Sequence, residues 1–236
     1  MCTVTFVNSN DQFIITSNRD EKMARPKAIE PKNYRINHKN VFFPKDAKAG
    51  GTWYAVDENA NIIVLLNGAR EKHIRKESYK KSRGLVVLDL IGANSILKEW
   101  QLIGLELIEP FTLVVFENLQ LFQLRWDGEH KETIQLDENK NHIWSSATLY
   151  PLEIRESRAN WFAEFMNSHN NVTAIDMYNF HRHTQENDIE NGLVINRDNF
   201  LKTLSITQSV IDKNKVSLHH YDLEQDEKFT NSFIVI

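Results

Sequence analysis

The residues best equipped for chemistry lie at the start of the chain. The only cysteine is residue 2, directly behind the initiator methionine. Removal of Met1 turns Cys2 into the N-terminus and sets a thiol beside its own α-amine. With a pKa of about 7.7–8.0, that amine suits a general base near neutral pH. One residue then supplies nucleophile and base, the logic of a threonine paired with its N-terminal amine. Aminopeptidases remove methionine before small residues, and cysteine is small. The competing interpretation is a small buried hydrophobe on the inward face of a strand. A second cluster follows at Asn18-Arg19-Asp20-Glu21. Arg19 and Asp20 either serve the thiol or form a structural ion pair that closes a hairpin.

The elements that must position these groups follow from periodicity. Cys2, Val4 and Phe6 alternate with Thr3, Thr5 and Val7, which predicts a strand with one buried face. Asn8-Ser9-Asn10-Asp11 is a turn, and residues 12–17 form the second strand of a hairpin. The polar stretch 18–40, with Pro26 and Pro31, reads as irregular. Strands are expected at 52–56 and 62–66, and helices at 82–91 and 95–103 with Ser82 and Asn94 as N-caps. Four strands follow, at 112–116, 119–126, 133–136 and 142–145. The stretch 152–166 is an amphipathic helix with Ile154, Trp161, Phe162, Phe165 and Met166 on one face. Thr173 opens another helix reaching His181, and strands at 202–211, 216–221 and 232–236 close the chain. This order lacks regular β-α alternation and disfavours a doubly wound parallel sheet. Antiparallel sheets with blocks of helix packed on them fit better, in a single α+β domain over 1–236 with no repeat or linker.

Composition narrows the class. The 236 residues are long enough for a full core without staples. A net charge of −4 argues against a nucleic-acid or anionic-membrane partner. A lone cysteine forms no internal disulfide, which suits a reducing compartment. The N-terminal stretch has neither a basic region nor a continuous apolar region, and no run reaches the roughly 18 apolar residues of a membrane span. The expectation is a cytoplasmic protein that meets a small molecule.

Several stretches together resemble the NRDE family, also called the transport and Golgi organization 2 family. They are MCTVTF at the start, SNRDEKMARP around Asn18 to Glu21, AGGTWYAVDENANIIVLLNGAR, KSRGLVVLDLI, EPFTLVVFEN and WSSATLYP. That family in turn resembles the cysteine N-terminal nucleophile hydrolases, which include penicillin V acylase and bile salt hydrolase. The resemblance implies a four-layer αββα sandwich. It also implies a hydrolase or acyltransferase acting on a non-peptide C–N (amide) or thioester bond of a small metabolite. Cys2 would attack the carbonyl, Arg19 would stabilise the thiolate, Asp20 would hold the α-amine, and Asn67 would point its amide at the oxyanion. Asn18, Glu21, Gly51, Thr52, Trp53 and Ser146 would contact substrate. The sequence departs from the bile salt hydrolase branch in two places. Ser145-Ser146 stands where that branch has a second asparagine, and residues 202–211 offer Thr207, Gln208 and Ser209 but no arginine.

The alternative is a binding protein that uses the same pocket for haem, an acyl-CoA or a lipid without turnover. Met23, Trp53 and several histidines would bracket a flat apolar ligand. No resident cofactor or metal is expected: His181-Arg182-His183 and His219-His220 have no cysteine or carboxylate spaced to complete a zinc site, and read as solvated surface. Gly50-Gly51-Thr52-Trp53 lacks the lysine of a phosphate loop and reads as a tight turn entering a strand. The basic run Lys72, Arg75, Lys76, Lys80, Lys81 and Arg83 is either a solvated face or a device that steers a carboxylate or phosphate towards Cys2.

Overall fold

The computed structural model describes residues 3–235. Cys2, and with it the nucleophile expected at that position, lies outside the described residues, as does Ile236 at the end of the last expected strand.

The described residues form two seven-stranded antiparallel sheets. The first carries β1 (Thr3–Ser9), β2 (Gln12–Lys22), β10 (His142–Ser145), β11 (Asn196–Arg197), β12 (Leu201–Asp212), β13 (Lys215–Asp222) and β14 (Glu227–Ile234). Its order is β10-β1-β2-β12-β13-β14, with β11 paired to β12. The second runs in simple sequence order through β3 (Ile29–Ile36), β4 (Lys39–Lys45), β5 (Tyr54–Asp57), β6 (Ile62–Asn67), β7 (Phe111–Glu117), β8 (Gln120–Trp126) and β9 (Lys131–Leu136). Helices α1 (Arg83–Ile91) and α2 (Ile96–Leu102) cover the second sheet, while α3 (Leu152–Ser168) and α4 (Ala174–His183) cover the first. The layers are therefore αββα.

Two main cores hold these layers, with a small third cluster around Tyr150 and Ile195. Val4, Phe6 and Ile15 of the first sheet interdigitate with Val64, Val114 and Phe116 of the second. Phe6 and Phe13 both meet the Phe116 ring, at 5.7 and 4.8 Å between centroids. Tyr54 adds a polar tie by donating its hydroxyl to the Ile15 carbonyl at 2.9 Å. On the opposite face of the first sheet, Val7 and Ile14 pack with Phe162, Met177 and Phe180 of α3 and α4. This explains why residues 3–7 of β1 are buried on both faces, where alternation alone predicted one. A strand inside a four-layer sandwich has no solvent side.

Helix ends are satisfied from nearby elements. The α4 start carries a full capping box between Thr173 and Asp176. The N-cap of α2 is Ser95 rather than Asn94, and the Glu117 carboxylate from β7 accepts from the Ile96 and Leu97 N–H groups.

Two differences from the sequence reading affect the site. β2 does not stop at Ser17 but runs to Lys22, so the Asn-Arg-Asp-Glu stretch is strand. The region expected to be irregular contains the β3–β4 hairpin, turned by Asn37 and His38 at φ 46° and 73°. Pro31 is tolerated because β3 is an edge strand with a register shift between Ile29 and Lys32. No helix among the described residues is long and apolar enough to cross a membrane.

Candidate active site

β2 pairs with β1 on one side and β12 on the other, and this central place explains how polar residues are held in a strand interior. Asn18, Arg19 and Asp20 are each no more than 3% exposed. Strand alternation sends them to opposite faces.

Arg19 projects between the sheets. Its guanidinium lies 4.3 Å from the Trp53 ring centroid and 3.4 Å from Asp46 Oδ2. Arg25 joins the same carboxylate at 2.7 Å, and Glu21 lies 3.6 Å from Arg25 and 3.9 Å from Arg19. Burial would raise the Asp46 pKa, but hydrogen bonds from Arg25 and from the Ala49 N–H outweigh it and hold the carboxyl below its usual range. These residues line a cavity of about 370 Å³ with Gly51, Thr52, Trp53, Asn67 and the loop leading into α1.

The glycine-rich segment shapes the wall. Gly50 adopts φ 74°, as a turn requires. Gly51 sits against the start of α1 so closely that an added Cβ would lie 2.3 Å from the Gly84 carbonyl carbon. Thr52 N–H donates to the Gly84 carbonyl at 3.1 Å, and its hydroxyl donates to the Pro44 carbonyl at 2.7 Å. Asn67, at the end of β6, reaches the cavity; its carbonyl accepts from the Ser146 hydroxyl at 2.8 Å. Ser146 thus braces the ends of the two sheets and is not part of the cavity wall.

The other face of β2 is a closed polar layer under α3 and α4. Asn18 donates its amide to the His181 and Leu193 carbonyls, at 3.1 and 2.6 Å. Its oxygen lies 2.5 Å from His181 Nδ1, and His181 Nε2 lies 2.8 Å from the Thr5 hydroxyl. This geometry assigns the neutral tautomer with the proton on Nδ1, accepting from Thr5. Burial, with the nearby Arg158 charge, lowers the His181 pKa to about 3. Asn18 is therefore occupied within the protein and lies away from the cavity.

Asp20 occupies the same layer. Tyr150 donates to one carboxylate oxygen at 2.5 Å and Thr203 to the other at 2.6 Å. Arg158, fully buried, lies over the Tyr150 ring at 3.6 Å and donates to the Thr3 hydroxyl at 2.6 Å. It also donates to the carbonyls of Asn191 and Gly192. Thr3 is where β1 begins, opposite Asn18 of β2 and Ser145 of β10.

The structure thus brings Arg19, Glu21, Gly51, Thr52, Trp53 and Asn67 to one cavity, and sets Asn18, Asp20 and Ser146 around it in supporting positions. Sequence reasoning missed Asp46, Tyr150, Arg158, His181 and Thr203. His181 and His220 are buried rather than solvated, and His183 remains exposed. His220 bonds to the Thr207 hydroxyl at 2.8 Å, and burial lowers its pKa to about 4. Met23 is 36% exposed and outside the cavity wall. No group of three or more metal-ligating side chains occurs among the described residues.

The layered arrangement is that of the N-terminal nucleophile hydrolase fold. A variant of conjugated bile acid hydrolase from Clostridium perfringens superposes with a TM-score of 0.60 at 10% identity, covering 99% of this chain and 92% of that one. The Caenorhabditis elegans ortholog of N-acylethanolamine-hydrolyzing acid amidase gives 0.61 at 10% identity, covering 88% and 92%. No curated relative matched the sequence. The model of the Transport and Golgi organisation 2 family matches residues 1–234, and the chain belongs to that family.

Proposed function

We propose that this protein is a cysteine-nucleophile hydrolase or acyltransferase that acts on an amide or thioester bond of a small molecule in the cytoplasm, as one domain. The observation that carries the reading is the position of Thr3. Cys2 is bonded to Thr3, and Thr3 pairs with Asn18, the neighbour of Arg19 and the near neighbour of Asp20. The residue next to the only thiol in sequence therefore stands at the end of the sandwich where the cavity residues converge.

In this mechanism Met1 is removed and the Cys2 α-amine takes the thiol proton. Arg19, pinned by Asp46 and Trp53, stabilises the thiolate. The thiolate forms a bond to the substrate carbonyl carbon, and the carbonyl π electrons move to oxygen. The Asn67 amide stabilises that oxyanion. Its collapse expels the amine or thiol, which leaves with the proton held by the α-ammonium. Water or an acceptor amine then releases the acyl group by the reverse sequence. Asp20, held at both oxygens by Tyr150 and Thr203, fixes the ammonium.

The test is intact mass before and after brief exposure to a thiol-directed electrophile. The expected result is loss of one methionine and fast labelling that Cys2→Ser abolishes. A retained Met1 or an inert thiol in the folded protein overturns the reading. It would point instead to ligand carriage by the same cavity, with haem and acyl-CoA as the first ligands to titrate.

A further inference from the structure

The cavity's charges divide into two sets. Arg19 and Arg25 are engaged with Asp46 and Glu21, two cations against two carboxylates. On the α1 side the wall carries Arg75, Lys81 and Arg83 against Glu77 and Glu109. Glu109 is shared, 3.1 Å from Arg83 and 4.0 Å from Arg75. Lys81 reaches Asp89 on α1, outside the wall.

The start of α1 faces the same space, since Ser82, Arg83 and Gly84 all line it. α1 has nine residues, no acidic residue in its first turn and no side-chain cap. Among the described residues the Arg83 and Gly84 backbone N–H groups meet no acceptor, and the buried Ser82 hydroxyl has no partner. An independent donor adds to this. Trp53, only 4% exposed and part of the wall, has an indole N–H without an acceptor. Buried donors are normally satisfied. Here backbone, hydroxyl and indole donors collect beside three cations and a positive helix end, and each calls for an acceptor.

We infer that the cavity takes a ligand bearing a carboxylate or phosphate oxyanion, seated at the start of α1 between Arg75, Lys81 and Arg83. Resting on the hydrolase reading, this makes the substrate an acidic amide or thioester whose anionic end is held apart from the scissile carbonyl. The volume of about 370 Å³ leaves room for the rest of such a molecule.

Calorimetric titration with inorganic pyrophosphate and, separately, with succinate tests the site on the full chain. Saturable binding of one anion alone identifies its chemistry, and binding of both defines a general dianion site. Arg75→Gln and Lys81→Gln each weaken binding by about three- to tenfold, as expected for partly exposed charge-assisted contacts. Lys98→Gln, on the exposed face of α2, leaves it unchanged. Ser82→Asp supplies an internal cap, so it raises the thermal midpoint while abolishing anion binding. That pairing separates loss of the site from loss of the fold. Failure of both anions to bind, or unchanged binding in Ser82→Asp and in the Arg75→Gln/Lys81→Gln double variant, overturns the inference. Repeating the titration with Cys2→Ser separates the two proposals, because anion binding persists there even if the native thiol proves inert.

Discussion

The two faces of β2 use the same few residues in opposite ways. On the cavity face, Arg19 and Glu21 belong to a mixed-charge wall with room beside it. On the helix face, Asn18 and Asp20 are held by hydrogen bonds with His181, Tyr150 and Thr203. The cavity that this first face lines also holds the unpartnered Trp53 indole N–H and Ser82 hydroxyl, and is built to meet something. The helix face satisfies its groups internally and is built to hold position. The comparison separates residues such as Arg19, whose loss should change reactivity, from residues such as Arg158 and His181, whose loss should change stability.

The strongest way to break it is Arg158→Ala. This removes a fully buried cation from beneath α3 and strands the Thr3 hydroxyl and the carbonyls of Asn191 and Gly192. A loss of about 3–5 kcal/mol is expected in urea denaturation. A loss below about 1 kcal/mol would mean the helix face is not the structural one.

Acid probes the same face without mutation. His181 is neutral in the fold with a pKa lowered to about 3, against an ordinary value of 6.5. Below pH 6.5 the unfolded chain therefore binds a proton that the folded chain refuses. Stability contributed by this group is intact above about pH 6.5 and declines as pH falls towards 3. At pH 4 the deficit from His181 is about 3 kcal/mol. His220, lowered to about 4 by burial, adds to it in the same direction. His181→Gln should lower stability at pH 7 yet flatten the slope between pH 6.5 and 4.

A smaller effect joins the two regions. Gly51→Ala places a methyl group against the Gly84 backbone, so α1 must move from the cavity wall. The expected loss is about 1–3 kcal/mol, as for other overpacked sites. Anion binding should fall with it, since Gly84 belongs to the proposed seat. Gly50→Ala meets no atom within 4 Å and should cost only the strain of its positive φ.

Legibility in the sequence followed the same division. The first hairpin, the helices and the αββα order were readable because apolar periodicity or family resemblance marked them. β2 beyond Ser17 was not, since its residues 18–22 are polar and a strand held by partners on both sides needs no apolar pattern. Pro31 hid β3, whose edge position makes the proline harmless. The helix-face network left a trace that was passed over. Arg158 falls four residues after Ile154 and four before Phe162, a cation set within an apolar stripe. His181 likewise follows Met177 on the buried side of α4. A charged or titratable residue inside an apolar stripe signals a partner across the interface, which no single segment can name. Asp46 carried no local signal, because its role arises only when β2 and the β4–β5 loop meet.

The smallest stability change should accompany the largest change in reactivity. Arg19→Met keeps much of the aliphatic stem against Trp53 and leaves Asp46 paired with Arg25, so no buried carboxylate is orphaned. Stability should fall by about 1 kcal/mol or less on that account. Loss of the one cation held between Trp53 and Asp46 removes thiolate stabilisation, and labelling of Cys2 at neutral pH should slow by about tenfold or more. The labelling rate against pH should also shift to higher pH, which a structural role alone would not produce. Equal loss of stability and reactivity would erase the distinction between the two faces and return Arg19 to the role of a simple ion-pair partner.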